Sequence, residues 1–126
     1  MTGFRLFWLP KINRSTMQRL LVLNGYRLLQ SKHAGQWIVD KVDKAGAIKP
    51  GIYNIYLAIP ADKTKAHDGI ILYADNQFVY QQTGQNFVWH DQENFRDLPE
   101  IGASCKIRYE NEQAIVSKSS RKPTRK

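Results

Sequence analysis

The chain has 126 residues, 42% of them apolar, and carries 19 Lys/Arg against 11 Asp/Glu for a net charge of +8. That length supports one domain with a small appendage, burying roughly two-thirds of the unfolded surface, and three Trp, six Tyr and five Phe exclude a chain disordered throughout. A single cysteine excludes an intramolecular disulfide and a Cys-based metal site and fits a reducing compartment.

No apolar run approaches the ~18 residues of a membrane span. Gly3 to Pro10 is briefly apolar but lacks the h-region and cleavage site of a signal peptide. The expected location is cytoplasmic, with no membrane partner. Charge is unevenly placed. Residues 1–50 hold nine Lys/Arg against two Asp, residues 51–115 five against nine acids, and residues 116–126 five against none. An acidic body between two basic flanks suits contact with a polyanion.

In chain order, Asn13 or Ser15 can cap a helix whose apolar face is Met17, Leu20, Leu21 and Leu23, with Asn24-Gly25 as its stop. Tyr26–Gln30 and Gln36–Asp40 read as a hairpin around Ser31–Gly35. Asp40 to Gly51 reads as a linker, and short strands then follow at ~8–12-residue spacing. They are Tyr53–Ala58, Gly69–Tyr73, Gln77–Gln82, Asn86–His90, Lys106–Tyr109 and Gln113–Val116. Asp91 opens a short helical turn. The expected inward set is Ile55, Leu57, Ile71, Val79, Val88, Ile107 and Val116. The fold class expected is mainly β (α+β). A helix–hairpin segment over 1–49 precedes a small SH3-like antiparallel β-barrel over 50–116, and a disordered basic tail follows over 117–126.

Catalytic chemistry finds little footing. His33, His67 and His90 do not share metal-ligand spacing, no cysteine pairs with them, and no phosphate-binding or dinucleotide fingerprint occurs. No cofactor, metal or enzymatic activity is therefore expected. His90 and Asp91 are adjacent on a strand and point to opposite faces, which prevents a general-base pair. Cys105 reads as a small hydrophobe on a strand. The helix, the turn carrying His33 and the strand carrying Trp37 are faintly similar to the HicA toxin family of small RNases. That family's Gly-Ser-His appears here as Ser31-Lys32-His33, without the glycine, so His33 reads as a solvated turn residue.

Positive charge offers a better lead. Arg14, Arg19, Arg27 and Lys32 in front, with Lys118, Arg121, Lys122, Arg125 and Lys126 in the tail, can grip DNA or RNA phosphates without reading sequence. Tyr53, Tyr73, Tyr80 and Trp89 can stack bases or line a peptide groove.

One resemblance narrows the setting. The segments that carry it are Pro50–Ala58, Ala61-Asp62-Lys63, Asp68-Gly69-x-Ile71-Leu72 and Val79-Tyr80-Gln81-Gln82-x-Gly84. Phe87-Val88-x-His90-Asp91, Leu98–Gly102, Ile107-Arg108-Tyr109 and Ala114-Ile115-Val116 complete it. From about Gly51 to Val116 the chain resembles the KfrB domain of plasmid and mobile-element proteins. The resemblance implies a small all-β barrel and a role in plasmid maintenance, partition or conjugative transfer, with plasmid-encoded proteins as partners. It brings no catalytic residues. The expectation is a non-enzymatic accessory whose basic flanks hold nucleic acid; a protein–protein adaptor and a HicA-like RNase are the alternatives.

Overall fold

A computed structural model describes residues 17–118. Strands β1 (Gln18–Leu23), β2 (Tyr26–His33), β3 (Gln36–Lys44) and β4 (Gly51–Tyr53) form an antiparallel sheet in the order β3-β2-β1-β4. Strands β5 (Ile59–Pro60), β6 (His67–Ala74), β7 (Phe78–Thr83), β8 (Asn86–Asp91), β9 (Ser104–Glu110) and β10 (Gln113–Lys118) form a second sheet in the order β10-β9-β6-β7-β8-β5. Helical structure among the described residues is confined to single 3-10 turns at Ile55–Leu57 and Gln92–Asn94. The chain divides into two compact units. Among the described residues, the first comprises residues 17–45 and Lys49–Tyr56, and the second Gly46–Ile48 and residues 57–118.

The expected N-terminal helix is not formed where the chain is described: Gln18–Leu23 is a strand. Leu20 to Leu23 is apolar at every position, so it fits either period, and Asn24-Gly25 decides. Both residues take positive φ, 52° and 81°, which is the two-residue turn whose twist matches paired strands. The turn closes β1 on β2 with Leu23 opposite Tyr26 and Leu20 opposite Leu29. Leu20, Val22 and Leu29 are then buried while Leu21 and Leu23 face the other way. Ala34-Gly35 repeats the turn between β2 and β3, again at positive φ.

β3 lies at a sheet edge. Its pairing slips between Gln30↔Val39 and Leu29↔Lys41, leaving Asp40 as an extra residue. The Ser31 hydroxyl donates to the Asp40 carboxylate. A bulge and charges on an edge strand discourage another strand from adding there.

The second sheet stays open, so the expected closed barrel is not formed. β5 is two residues long and ends at Pro60, which has no N–H to extend a ladder. At the opposite edge β10 is met beyond β9 only by a single bridge between Phe95 and Ala114. The core of this unit is Ile71, Val79, Cys105, Ile107 and Ala114, with Phe95, Ile101 and Tyr109 packed on it. Of the expected inward residues, Ile55, Ile71, Val79, Val88 and Ile107 are buried, whereas Leu57 and Val116 are exposed. Leu57 falls in a 3-10 turn rather than on the strand expected there. Gly69 marks a close approach of β6 to β7: a Cβ at that position would stand 1.8 Å from the Gln82 carbonyl oxygen.

Candidate functional site

Strand register assembles a basic, aromatic patch in the first unit. Arg19 sits opposite Gln30, and Lys32 opposite Trp37. Period-two alternation puts Gln30 and Lys32 on one face of β2, so all four side chains share it. The Arg19 guanidinium lies 4.1 Å from the Trp37 ring centroid and the Lys32 ammonium 5.8 Å from it. Arg19 Nε donates to Gln30 Oε1 at 2.7 Å, which tethers the guanidinium beside the indole. Tyr56 completes the patch, its ring centroid 6.3 Å from that of Trp37 and tilted by 35°. Among the described residues, no carboxylate forms an ion pair with Arg19 or Lys32.

Other sequence-predicted residues are spread more widely. Arg27 is committed within its own hairpin, with Nε donating to the Lys44 carbonyl at 3.0 Å and the guanidinium 3.9 Å from Asp43. The Tyr53 hydroxyl donates to the Lys49 carbonyl at 2.5 Å, and burial raises its pKa. Tyr73, Tyr80 and Trp89 are cross-strand neighbours in a row over β6, β7 and β8. Tyr73 stacks on Tyr80 at 6.0 Å and is buried. Lys118 is the exposed last residue of β10. Arg14, Arg121, Lys122, Arg125 and Lys126 lie outside the described residues. His33 ends β2 in an exposed position; the helix on which the HicA likeness leaned is a strand from Gln18 to Leu23.

The second unit holds a buried polar chain that sequence reading did not anticipate. Gln81, fully buried, donates its amide to the carbonyls of His67, Gly69 and Cys105 at 3.1, 3.3 and 3.1 Å. Three acceptors fix which end of the amide is nitrogen, so Gln81 Oε1 must accept. It accepts from His90 Nε2 at 2.9 Å. That places the proton of a neutral imidazole on Nε2 and leaves Nδ1 to accept from the Tyr109 hydroxyl at 2.6 Å. Burial, helped by the nearby His67, pushes the His90 pKa down to about 3. Burial, with Asp91 and Glu112 adding, pushes the Tyr109 phenol up to about 12. The same burial raises the Cys105 thiol, which behaves as a core residue on β9. His90 thus bonds to Gln81 and Tyr109, not to the adjacent Asp91. The chain is neutral and internally satisfied, which suits it to holding β7, β8 and β9 together rather than to moving protons.

Beside this network, a groove of about 820 Å³ is lined by Asp68, Gly69, Gln82, Gly84, Pro99 and Glu100 among others. No cluster of three or more His, Cys, Asp or Glu suited to a metal occurs among the described residues. No described helix is long and apolar enough to cross a membrane.

These features define a two-unit β protein with a basic aromatic patch on one unit and a polar-stapled sheet with a groove on the other. Residues 66–118 match the family model of the KfrB domain. The match covers β6 to β10 and confirms the resemblance there, while Gly51–Lys65 and the front segment lie outside it. The chain is also 29% identical over 101 residues to Protein TraB of Escherichia coli, an alignment spanning 78% of this chain and 69% of that protein. That alignment is longer than the KfrB match, so the similarity to TraB runs beyond the domain.

Proposed function

We propose that this protein is a non-enzymatic accessory of a plasmid or other mobile element that holds nucleic acid through its basic flanks. The observation that carries the reading is the Arg19–Lys32–Trp37 patch, two cations beside an aromatic ring with no carboxylate paired to either among the described residues. An unneutralised cation pair on a rigid sheet attracts phosphates and releases their counterions. The sequence adds Arg121, Lys122, Arg125 and Lys126 beyond β10 with no acid among them. The KfrB match and the likeness to TraB support the plasmid setting and a part in transfer.

Fluorescence anisotropy of labelled DNA and RNA tests the reading, comparing the full chain with one ending at Lys118 across a salt series. Removing about four phosphate-contacting cations lowers the log–log salt slope by roughly 3–4 units. Absence of binding by either form at low salt refutes it. A second reading, an adaptor for a plasmid-encoded protein, draws on the groove. Asp68-Gly69, Gln82-x-Gly84 and Pro99-Glu100, which carry the KfrB resemblance, converge on its lining. A chain that ignores nucleic acid but retains a transfer or partition protein on co-purification favours it.

A further inference from the structure

We propose that the patch formed by Arg19, Lys32, Trp37 and Tyr56 is a site for unpaired bases, so that the protein prefers single-stranded nucleic acid to duplex. The inference rests on the nucleic-acid reading above and specifies its ligand.

A duplex covers its base faces with neighbouring bases and presents phosphates and groove edges to a protein; a single strand presents the faces themselves. Cations alone would serve either form. The patch has more than cations. Tyr56 is 40% exposed and lies 6.3 Å from Trp37, so two aromatic rings neighbour one another at the surface. Arg19 occupies one face of the Trp37 indole at 4.1 Å and is held there by Gln30. Its guanidinium therefore offers a second flat plane, already ordered, on which a base can stack. With the Lys32 ammonium 5.8 Å from the same ring, it puts positive charge beside that plane for the phosphate flanking a stacked base. Alternating planar surfaces and cations match the alternation of bases and phosphates along a single strand. Apart from the cations, that arrangement would have no partner on a duplex. All four residues belong to one compact unit, so the geometry is internal to it.

The test uses the intact chain and a labelled oligonucleotide of about 15 nucleotides, single-stranded and as a duplex of the same sequence. The expected preference for the single strand is roughly tenfold, a modest return from stacking one base. Tyr56→Ala should remove most of that preference while leaving the salt slope unchanged, since no charge is lost. Arg19→Lys keeps the charge, removes the planar surface, and should also lower the preference. Equal affinity for the two forms, with both variants silent, overturns the inference and leaves the electrostatic reading standing. A preference for duplex overturns it too. Failure of the wild-type chain to bind either form at low salt removes both readings.

Discussion

Acidification destabilises the fold through His90, because the unfolded chain takes up a proton that the buried imidazole refuses. The imidazole must be neutral to accept from Tyr109 at Nδ1 while donating to Gln81 at Nε2. Its folded pKa is held near 3, against about 6.5 in an unfolded chain. Below about pH 6.5 the unfolded state therefore binds a proton that the folded state refuses, and stability falls as pH falls until the folded pKa is reached. The slope approaches 1.4 kcal/mol per pH unit. Between about pH 7 and about pH 4.5 this one group removes roughly 2–3 kcal/mol, a large share of the stability of a small domain. Urea denaturation followed by tryptophan fluorescence, at several pH values, measures it for the wild type and for His90→Gln. Every other titratable group is common to both proteins, so the difference isolates His90. The wild type should lose stability with acid more steeply than the variant, whatever the variant's starting stability. Parallel stability–pH curves would refute the buried, neutral imidazole.

Three further expectations follow from the second unit. Gln81→Leu leaves the His90 Nε2–H without its acceptor and strips an amide donor from three carbonyls, which should cost about 3 kcal/mol and lower Tm by roughly 10 °C or more. Gly69→Ala drives a Cβ into the Gln82 carbonyl, which is backbone and cannot swing aside, so thermal scans should show a loss larger than that of any exposed glycine substitution. Glu112→Gln, by contrast, breaks an exposed pair with Lys63 at 2.6 Å and should change the urea midpoint by no more than about 0.5 kcal/mol in stability.

Much of the β content was legible in the sequence because turn chemistry announced it. Asn111-Glu112 between β9 and β10, and Gly84-Gln85 between β7 and β8, fall in the gaps between the strands expected from the sequence. The front segment misled for a specific reason. Leu20 to Leu23 carries no polar residue to reveal its period, and Asn-Gly ends helices as readily as it turns hairpins. Once that pair is read as a two-residue turn, register brings Arg19 beside Gln30; the Ala34-Gly35 hairpin separately brings Lys32 beside Trp37, and the patch becomes visible. The barrel expectation failed because strand spacing does not report closure, which here stops at the two-residue β5 and Pro60. The Gln81–His90–Tyr109 chain had no local signature. Its members lie 9 and 19 residues apart along the sequence and meet only through the strand order β9-β6-β7-β8. A glutamine two residues after Val79, and so on the same inward face of β7, was the one available hint.

The proposed nucleic-acid binding rests on the first unit's patch. The most direct measurement is anisotropy of a labelled single strand with the wild-type chain and with an Arg19→Gln, Lys32→Gln double variant, across a salt series. Both residues are at least partly exposed, so the variant should remain folded. The variant should bind more weakly, with a salt slope reduced by roughly 1–2 units, the share of two phosphate contacts. Identical curves for the two proteins would contradict nucleic-acid binding through the patch.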